Sequence, residues 1–383
     1  SILTGRFPAR HGIRANLIGE KYEAPDNVYL GEILRQAGYY SFFAIDDVRF
    51  FSLFHRHGFD EIFTPRRDIA GMVLASFYDY SLGNIFIYHD MAPWIFDALI
   101  NNRAITSYNP HVFIKHLTKR LSRIPREQKK FIVIHLCGNH HPYTSVHPYG
   151  RDPNLPIRSE KCMAMVNDQF ASLLMYLKKS DLYQGSDIYV FSDHGSGWDP
   201  ERQELSHGSA FDVVRDYQSI LAIHSPKLQR PKEISARART IDLYPTILEL
   251  AGLPMPSAID GKSLLHFIEG KEEGRQRLVL AETGFSFNFC YSGDVRLQGQ
   301  QVQGEIRKFE IDPETGHVFI SDDQYQEILE KKWFMMIMDD WRLVFHPETN
   351  KSFLYRSGDF QNRPIDNFQK KESLLKKLRE KIY

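Results

Sequence analysis

The chain has 383 residues, 42% of them hydrophobic, with 48 basic and 48 acidic side chains. That is enough apolar material for one large core and a smaller appendage, while a formal net charge of zero supplies no field to recruit nucleic acid or an anionic membrane. No apolar run approaches the ~20 residues of a membrane span, and Cys137, Cys162 and Cys290 can neither all pair within one chain nor form a metal-binding spacing.

The sequence opens on Ser1-Ile2-Leu3-Thr4-Gly5-Arg6-Phe7-Pro8, with no starting Met and no signal-like stretch, and reads as the middle of a motif. Tyr29 to Ala37 places Leu30, Ile33, Leu34 and Ala37 on one helical face, Gly38 stops it, and Tyr40 to Ile45 follows as a strand. Phe131 to Leu136 reads as a buried strand, Met163 to Leu177 as an amphipathic helix, and Ile188 to Phe191 as another buried strand. Gln218 to Ile223 is strand-like, Thr240 to Ala251 helical with Gly252 as its stop, and Leu278 to Ala281 a further short strand. Strands alternating with helices predict a mostly parallel sheet covered by helices on both faces. After about residue 275 the texture changes. Trp333 to Met338, Trp341 to Phe345 and Phe353 to Tyr355 are joined by tight polar turns, which predicts an antiparallel subdomain closed by a basic helix, Lys370 to Ile382. The expected division is therefore 1–275 and 276–383.

Asp193-His194-Gly195 follows the strand Ile188 to Phe191 directly. It hands a carboxylate and an imidazole to the carboxyl end of a strand, where open α/β sheets hold ligands and metals. A divalent cation can use both groups and polarise an ester oxygen. The alternative is a plain strand-end turn, with Asp and Gly present only to bend the chain.

Several segments in a fixed order carry a family resemblance. Leu3-Thr4-Gly5-Arg6-Phe7-Pro8-Ala9-Arg10-His11-Gly12 resembles the second half of the sulfatase signature, and Gly58-Phe59-Asp60-Glu61-Ile62-Phe63 resembles the segment that follows it in that family. Ser192-Asp193-His194-Gly195 is similar to the family's late metal motif. Asp242 to Gly252, with Gly261-Lys262-Ser263-Leu264-Leu265, is similar to its most recognisable helix. The resemblance implies the alkaline-phosphatase-like α/β fold and a periplasmic, extracellular or membrane-associated setting.

By the same resemblance Asp193 and His194 would bind the catalytic divalent ion, calcium in most sulfatases and zinc or manganese in related phosphoryl enzymes. His140, with His141 as the register alternative, would contact the anionic ester group, and His207 would stabilise the departing oxygen. A protonated imidazole can donate to a sulfate or phosphate oxygen, or act as general acid. The competing reading makes His140 a loop residue and His207 a surface residue. The family's nucleophile and its early metal aspartates would precede Ser1, so the chain as given is expected to be inactive and upstream membrane segments stay open. Asp46-Asp47 also end a strand, but they follow the Thr-Gly-Arg segment, whereas the family's paired aspartates come before it. They replace a loop that usually supplies lysine and histidine to sulfate.

Three functions follow. The first is hydrolysis of a small-molecule, glycan or lipid sulfate ester, supported also by Leu354-Tyr355-Arg356-Ser357-Gly358-Asp359, which resembles a C-terminal sulfatase segment. The second is a phosphodiesterase or a phosphoethanolamine or phosphoglycerol transferase, which Cys137-Gly138-Asn139-His140 and Leu205-Ser206-His207-Gly208 resemble. The third is a pseudoenzyme that keeps the fold without the chemistry.

Overall fold

The computed structural model describes residues 1–15, 18, 20–47, 57–64, 110–140, 143, 152–195, 197–199, 204–206, 217–228, 231–271, 277–284, 308–311, 313, 318–359 and 363–383. Its strands in chain order are β1 (Tyr40–Ile45), β2 (Glu61–Phe63), β3 (Lys130–His135), β4 (Ile188–Phe191), β5 (Gly197–Asp199), β6 (Glu204–Ser206), β7 (Leu221–His224), β8 (Val279–Glu282), β9 (Phe309–Ile311), β10 (Val318–Ile320), β11 (Phe334–Met338), β12 (Trp341–His346) and β13 (Lys351–Arg356). The chain forms two compact units, one from Gly31–Asp187 with Ile311–Phe319, the other from Ser1–Leu30, Ile188–Glu310 and Ile320–Tyr383.

The first unit holds a parallel sheet in the order β2-β1-β3. Phe42 through Ile45 are all buried, as a strand covered on both faces must be. Phe42 and Ala44 pack on one side with Phe113, Ile114, Leu117 and Leu121 of helix Pro110–Leu121 and with Met165 and Leu173 of helix Leu155–Lys179. Phe43 meets the edge of Phe59, whose ring stacks on Phe131.

The second long helix begins eight residues before the expected Met163. Asn154 accepts from the Ile157 N–H at 3.1 Å and Pro156 sits in the first turn. Asn-Leu-Pro punctuates a chain in sequence, yet here it is a cap followed by a first turn, where a missing N–H costs no intrahelical bond.

Gly58-Phe59-Asp60 has a structural explanation. Gly58 has φ +85°, and a Cβ there would stand 2.1 Å from the Glu32 nitrogen, so only glycine fits. Phe59 fills the core, and the Asp60 carboxylate accepts from the Ser41 N–H at 2.8 Å, fastening the start of β1.

In the second unit β4 pairs with β7, and β13-β12-β11-β8 form a four-stranded sheet. Helix Phe368–Ile382 lays Leu374, Leu375, Leu378 and Ile382 against Phe334, Met336, Leu343, Phe345 and Leu354. Asp339, at φ +54°, makes the two-residue turn between β11 and β12. Two strands depart from the expected parallel series: β7 runs antiparallel to β4, and β8 runs antiparallel to β11 as an edge of the C-terminal sheet. Between β4 and β7 the described residues form the antiparallel pair β5 and β6. Among the described residues no helix is long and apolar enough to cross a membrane.

Candidate functional site

β4 delivers Asp193 and His194 side by side. The His194 N–H donates to Oδ1 of Asp193 at 3.0 Å, which turns the chain at the strand exit. Nδ1 of His194 lies 2.7 Å from the Gly195 carbonyl; the tautomer this bond selects carries its proton on Nδ1 and leaves Nε2 as the basic nitrogen. Nε2 stands 3.7 Å from Oδ2 of Asp193, and the side chains are 39% and 61% exposed, accessible to a ligand. That separation suits two neighbouring ligands at about 2.0–2.6 Å from one divalent ion. The pair therefore fits as part of a metal site. It could supply two ligands, and among the described residues no group of three or more His, Cys, Asp or Glu could hold a metal ion.

His140 lies in the other compact unit, at a turn after β3, where its carbonyl accepts from the Tyr143 N–H at 2.8 Å. Gly138 lets the chain reach that turn, since a Cβ there would stand 2.5 Å from the Met165 methyl carbon. Asp46 and Asp47 are fully buried at the carboxyl end of β1, and Oδ1 of Asp46 accepts from the Cys137 N–H at 2.8 Å. Asp46 thereby joins the exits of two adjacent parallel strands. His207 and His141 lie outside the described residues.

The Thr-Gly-Arg segment and the Asp242 helix, more than 230 residues apart in sequence, form one joint. Gly5, at φ +65°, packs so closely on the Tyr244 ring that a Cβ would stand 2.9 Å from it, and its carbonyl accepts from the Asp260 and Gly261 N–H groups. Asp260 in turn accepts from the Phe7 N–H at 3.0 Å and from Arg10 at 2.6 Å. Arg6 is held by a two-pronged pair with Asp26 and by the Ala258 carbonyl. His11 is 3% exposed; its Nδ1 accepts from the Ile13 N–H at 3.1 Å and its Nε2 lies 2.9 Å from the Ser1 hydroxyl. Burial holds this imidazole well below its usual range, helped by the Ser1 ammonium and by the cations of Arg14 and Arg6.

Asp242 is the hub of this joint. Fully buried, it meets Arg239 at 2.6 Å and Arg277 at 2.9 Å, and accepts from the Lys262 N–H at 2.9 Å. Thr246, one turn on, takes the Leu264 N–H at 2.9 Å while donating to the Asp242 carbonyl. In sequence Asp242 reads only as one letter of a motif. Its cationic neighbour Arg239, three residues earlier, was the available signal; Arg277 is too distant in sequence to have been one.

A parallel α/β sheet joined to a C-terminal antiparallel sheet with a terminal helix defines the alkaline-phosphatase-like class of folds. The profile of the family described as Sulfatase matches residues 1–253, and the chain belongs to that family. It is 24% identical over 188 residues to the Delta 4,5-hexuronate-2-O-sulfatase of Bacteroides thetaiotaomicron, a match covering 46% of this chain and 39% of that protein. To arylsulfatase K of Bos taurus it is 28% identical over 102 residues, 27% of this chain and 18% of that protein. Both matches therefore span well under half the length of these relatives.

Among solved structures, the phosphonate monoester hydrolase of Silicibacter pomeroyi superposes with a TM-score of 0.62 at 17% identity, over 99% of this chain and 84% of its own. A protein solved with its substrate D-glucosamine-2-N,6-O-disulfate gives 0.62 at 13% identity, over 100% and 85%. At such identities the likeness shows the fold alone.

Proposed function

We propose that this protein is a metal-dependent hydrolase of sulfate esters. The observation that carries the reading is the Asp193 and His194 pair, presented together at a strand exit in a member of the sulfatase family. The named activities of the hexuronate sulfatase and of arylsulfatase K support a sulfate ester as substrate, and the former supports a sugar as its alcohol. A divalent ion held by Asp193 and His194, calcium by family habit, would stabilise the anionic oxygens of the ester as its bond to the leaving group breaks. Asp193 supplies the compensating charge, and the Gly195 carbonyl fixes the ring of His194 so that Nε2 faces outward as a donor. His140 and His207 are proposed to contact the ester group and the departing oxygen, each as a hydrogen-bond donor when protonated.

A second reading is phosphoryl chemistry. The buried Asp46 and Asp47 at the exit of β1 favour it, because carboxylates there stand where a sulfate-binding lysine and histidine would be expected. Zinc or manganese would then replace calcium. Residues 276–383 are proposed as a C-terminal subdomain, which expression of that segment alone would test.

The function is tested on full-length protein stripped by chelation and assayed on nitrophenyl sulfate and bis-nitrophenyl phosphate with calcium, zinc or manganese restored. Asp193→Asn is expected to weaken metal binding by about 100-fold or more while leaving the melting temperature of the metal-free protein unchanged. Wild-type metal affinity in Asp193→Asn would remove the reading, and turnover of the phosphate diester alone would select the phosphoryl alternative.

A further inference from the structure

Tyr217 stands where the metal-motif strand and the C-terminal sheet meet, inside one compact unit. On one side, Ile220 donates its N–H to the Ser192 hydroxyl at 3.1 Å, and its carbonyl accepts from the Ser192 N–H at 3.3 Å. The segment that carries Tyr217 is thus laced to the residue immediately before Asp193. On the other side, the Tyr217 phenol accepts from Nη1 of Arg342 at 2.8 Å.

Arg342 lies in β12, paired with Ile337 of β11 and Tyr355 of β13, and is fully buried. Its guanidinium carbon is 4.4 Å from the centre of the Tyr355 ring and 5.4 Å from that of Tyr217. A buried guanidinium is costly, and its rigid planar fork can grip one ring through a hydrogen bond while resting on another. Packing alone would be met as well by a leucine or methionine at this position.

We infer that Arg342 and Tyr217 are positioning residues: through them the C-terminal sheet sets where Ser192 ends β4, and so where Asp193 and His194 stand. This rests on the reading of Asp193 and His194 as metal ligands. The C-terminal sheet then contributes to the site although none of its strands supplies a proposed ligand.

The test is Tyr217→Phe in the full-length protein, which keeps the ring beneath the guanidinium and removes only the phenol oxygen. Losing one partner of a buried hydrogen bond should speed amide exchange across Ile188 to Gly195 by about three- to tenfold, with exchange across Lys130 to His135, in the other compact unit, unchanged. Unchanged exchange at Ile188 to Gly195 would overturn the inference. Arg342→Lys, which keeps a cation but not the fork, should give the same pattern; if it does not fold, Tyr217→Phe decides alone. Asp193→Asn serves as the control for the metal reading. If it binds calcium as the wild type does, that reading falls while the exchange result still decides the positioning claim. If it loses calcium, Tyr217→Phe should weaken calcium binding about three- to tenfold, and an unchanged affinity would sink the proposal.

Discussion

Individual side chains divide into those whose chemistry is written locally and those whose meaning lies with a distant partner. As proposed ligands, Asp193 and His194 belong to the first kind, because adjacency and a preceding apolar strand are both visible in a ten-residue window. Asp242 belongs to the second: two of its partners, Lys262 and Arg277, are 20 and 35 residues away. Removing its charge would leave Arg239 and Arg277 buried without compensation, so Asp242→Asn is expected to cost about 3–5 kcal/mol in chemical denaturation. A loss below about 1 kcal/mol would show that the two arginines find other partners. His11 gives a prediction with a definite sign. Its folded pKa is depressed by burial, so the folded protein holds it neutral while the unfolded chain takes a proton below about pH 6.5. Its contribution is fully present above that pH and is lost as pH falls toward the depressed value, at up to about 1.4 kcal/mol per pH unit. Urea midpoints measured at pH 7.5 and 5.5 should therefore fall further in the wild type than in His11→Gln; equal falls would contradict the assignment.

At the level of elements, the periodic signals served well where both ends carried a stop. Gly38, at φ +84°, follows helix Leu30–Gln36 and Gly252, at φ +69°, ends the Asp242 helix, each as expected. Strand direction was illegible for β7 and β8, since an apolar run carries no mark of its partner. Two glycines separate conformational from steric need. At Gly252 an added Cβ would have no atom within 4 Å, so Gly252→Ala should cost only the left-handed backbone, about 1 kcal/mol. Gly12 has φ +85° and a Cβ there would stand 1.9 Å from the Tyr22 carbonyl oxygen. Gly12→Ala should lower the denaturation midpoint by clearly more than Gly252→Ala, and equal shifts would mean that the Tyr22 loop yields at no cost.

For the molecule as a whole, the alkaline-phosphatase-like class was legible because four motifs kept one order along the chain, and order survives when identity falls to 24%. What order could not convey is which segments share a body. Ser1–Leu30 belongs with the C-terminal sheet, and the reason is physical: Arg14 pairs with Glu282 at 2.7 Å, Glu282 also meets the buried Lys332 at 3.3 Å, and Lys332 donates to the Arg14 carbonyl. Burial pulls the Lys332 ammonium below the ordinary lysine range, and the Glu282 carboxylate opposes that shift.

The joint between Gly5 and the Asp242 helix also sets a timetable for biosynthesis. Translation at ~5–20 residues per second takes roughly 10–50 s to advance from Gly5 to Gly261, and throughout that interval the Gly5 carbonyl and the Arg10 side chain lack their partners Asp260 and Gly261. Trypsin applied to stalled nascent chains should cut after Arg6 and Arg10 until Gly261 has cleared the exit tunnel. Protection at shorter lengths would mean that the opening segment finds a temporary shelter before its permanent one is made.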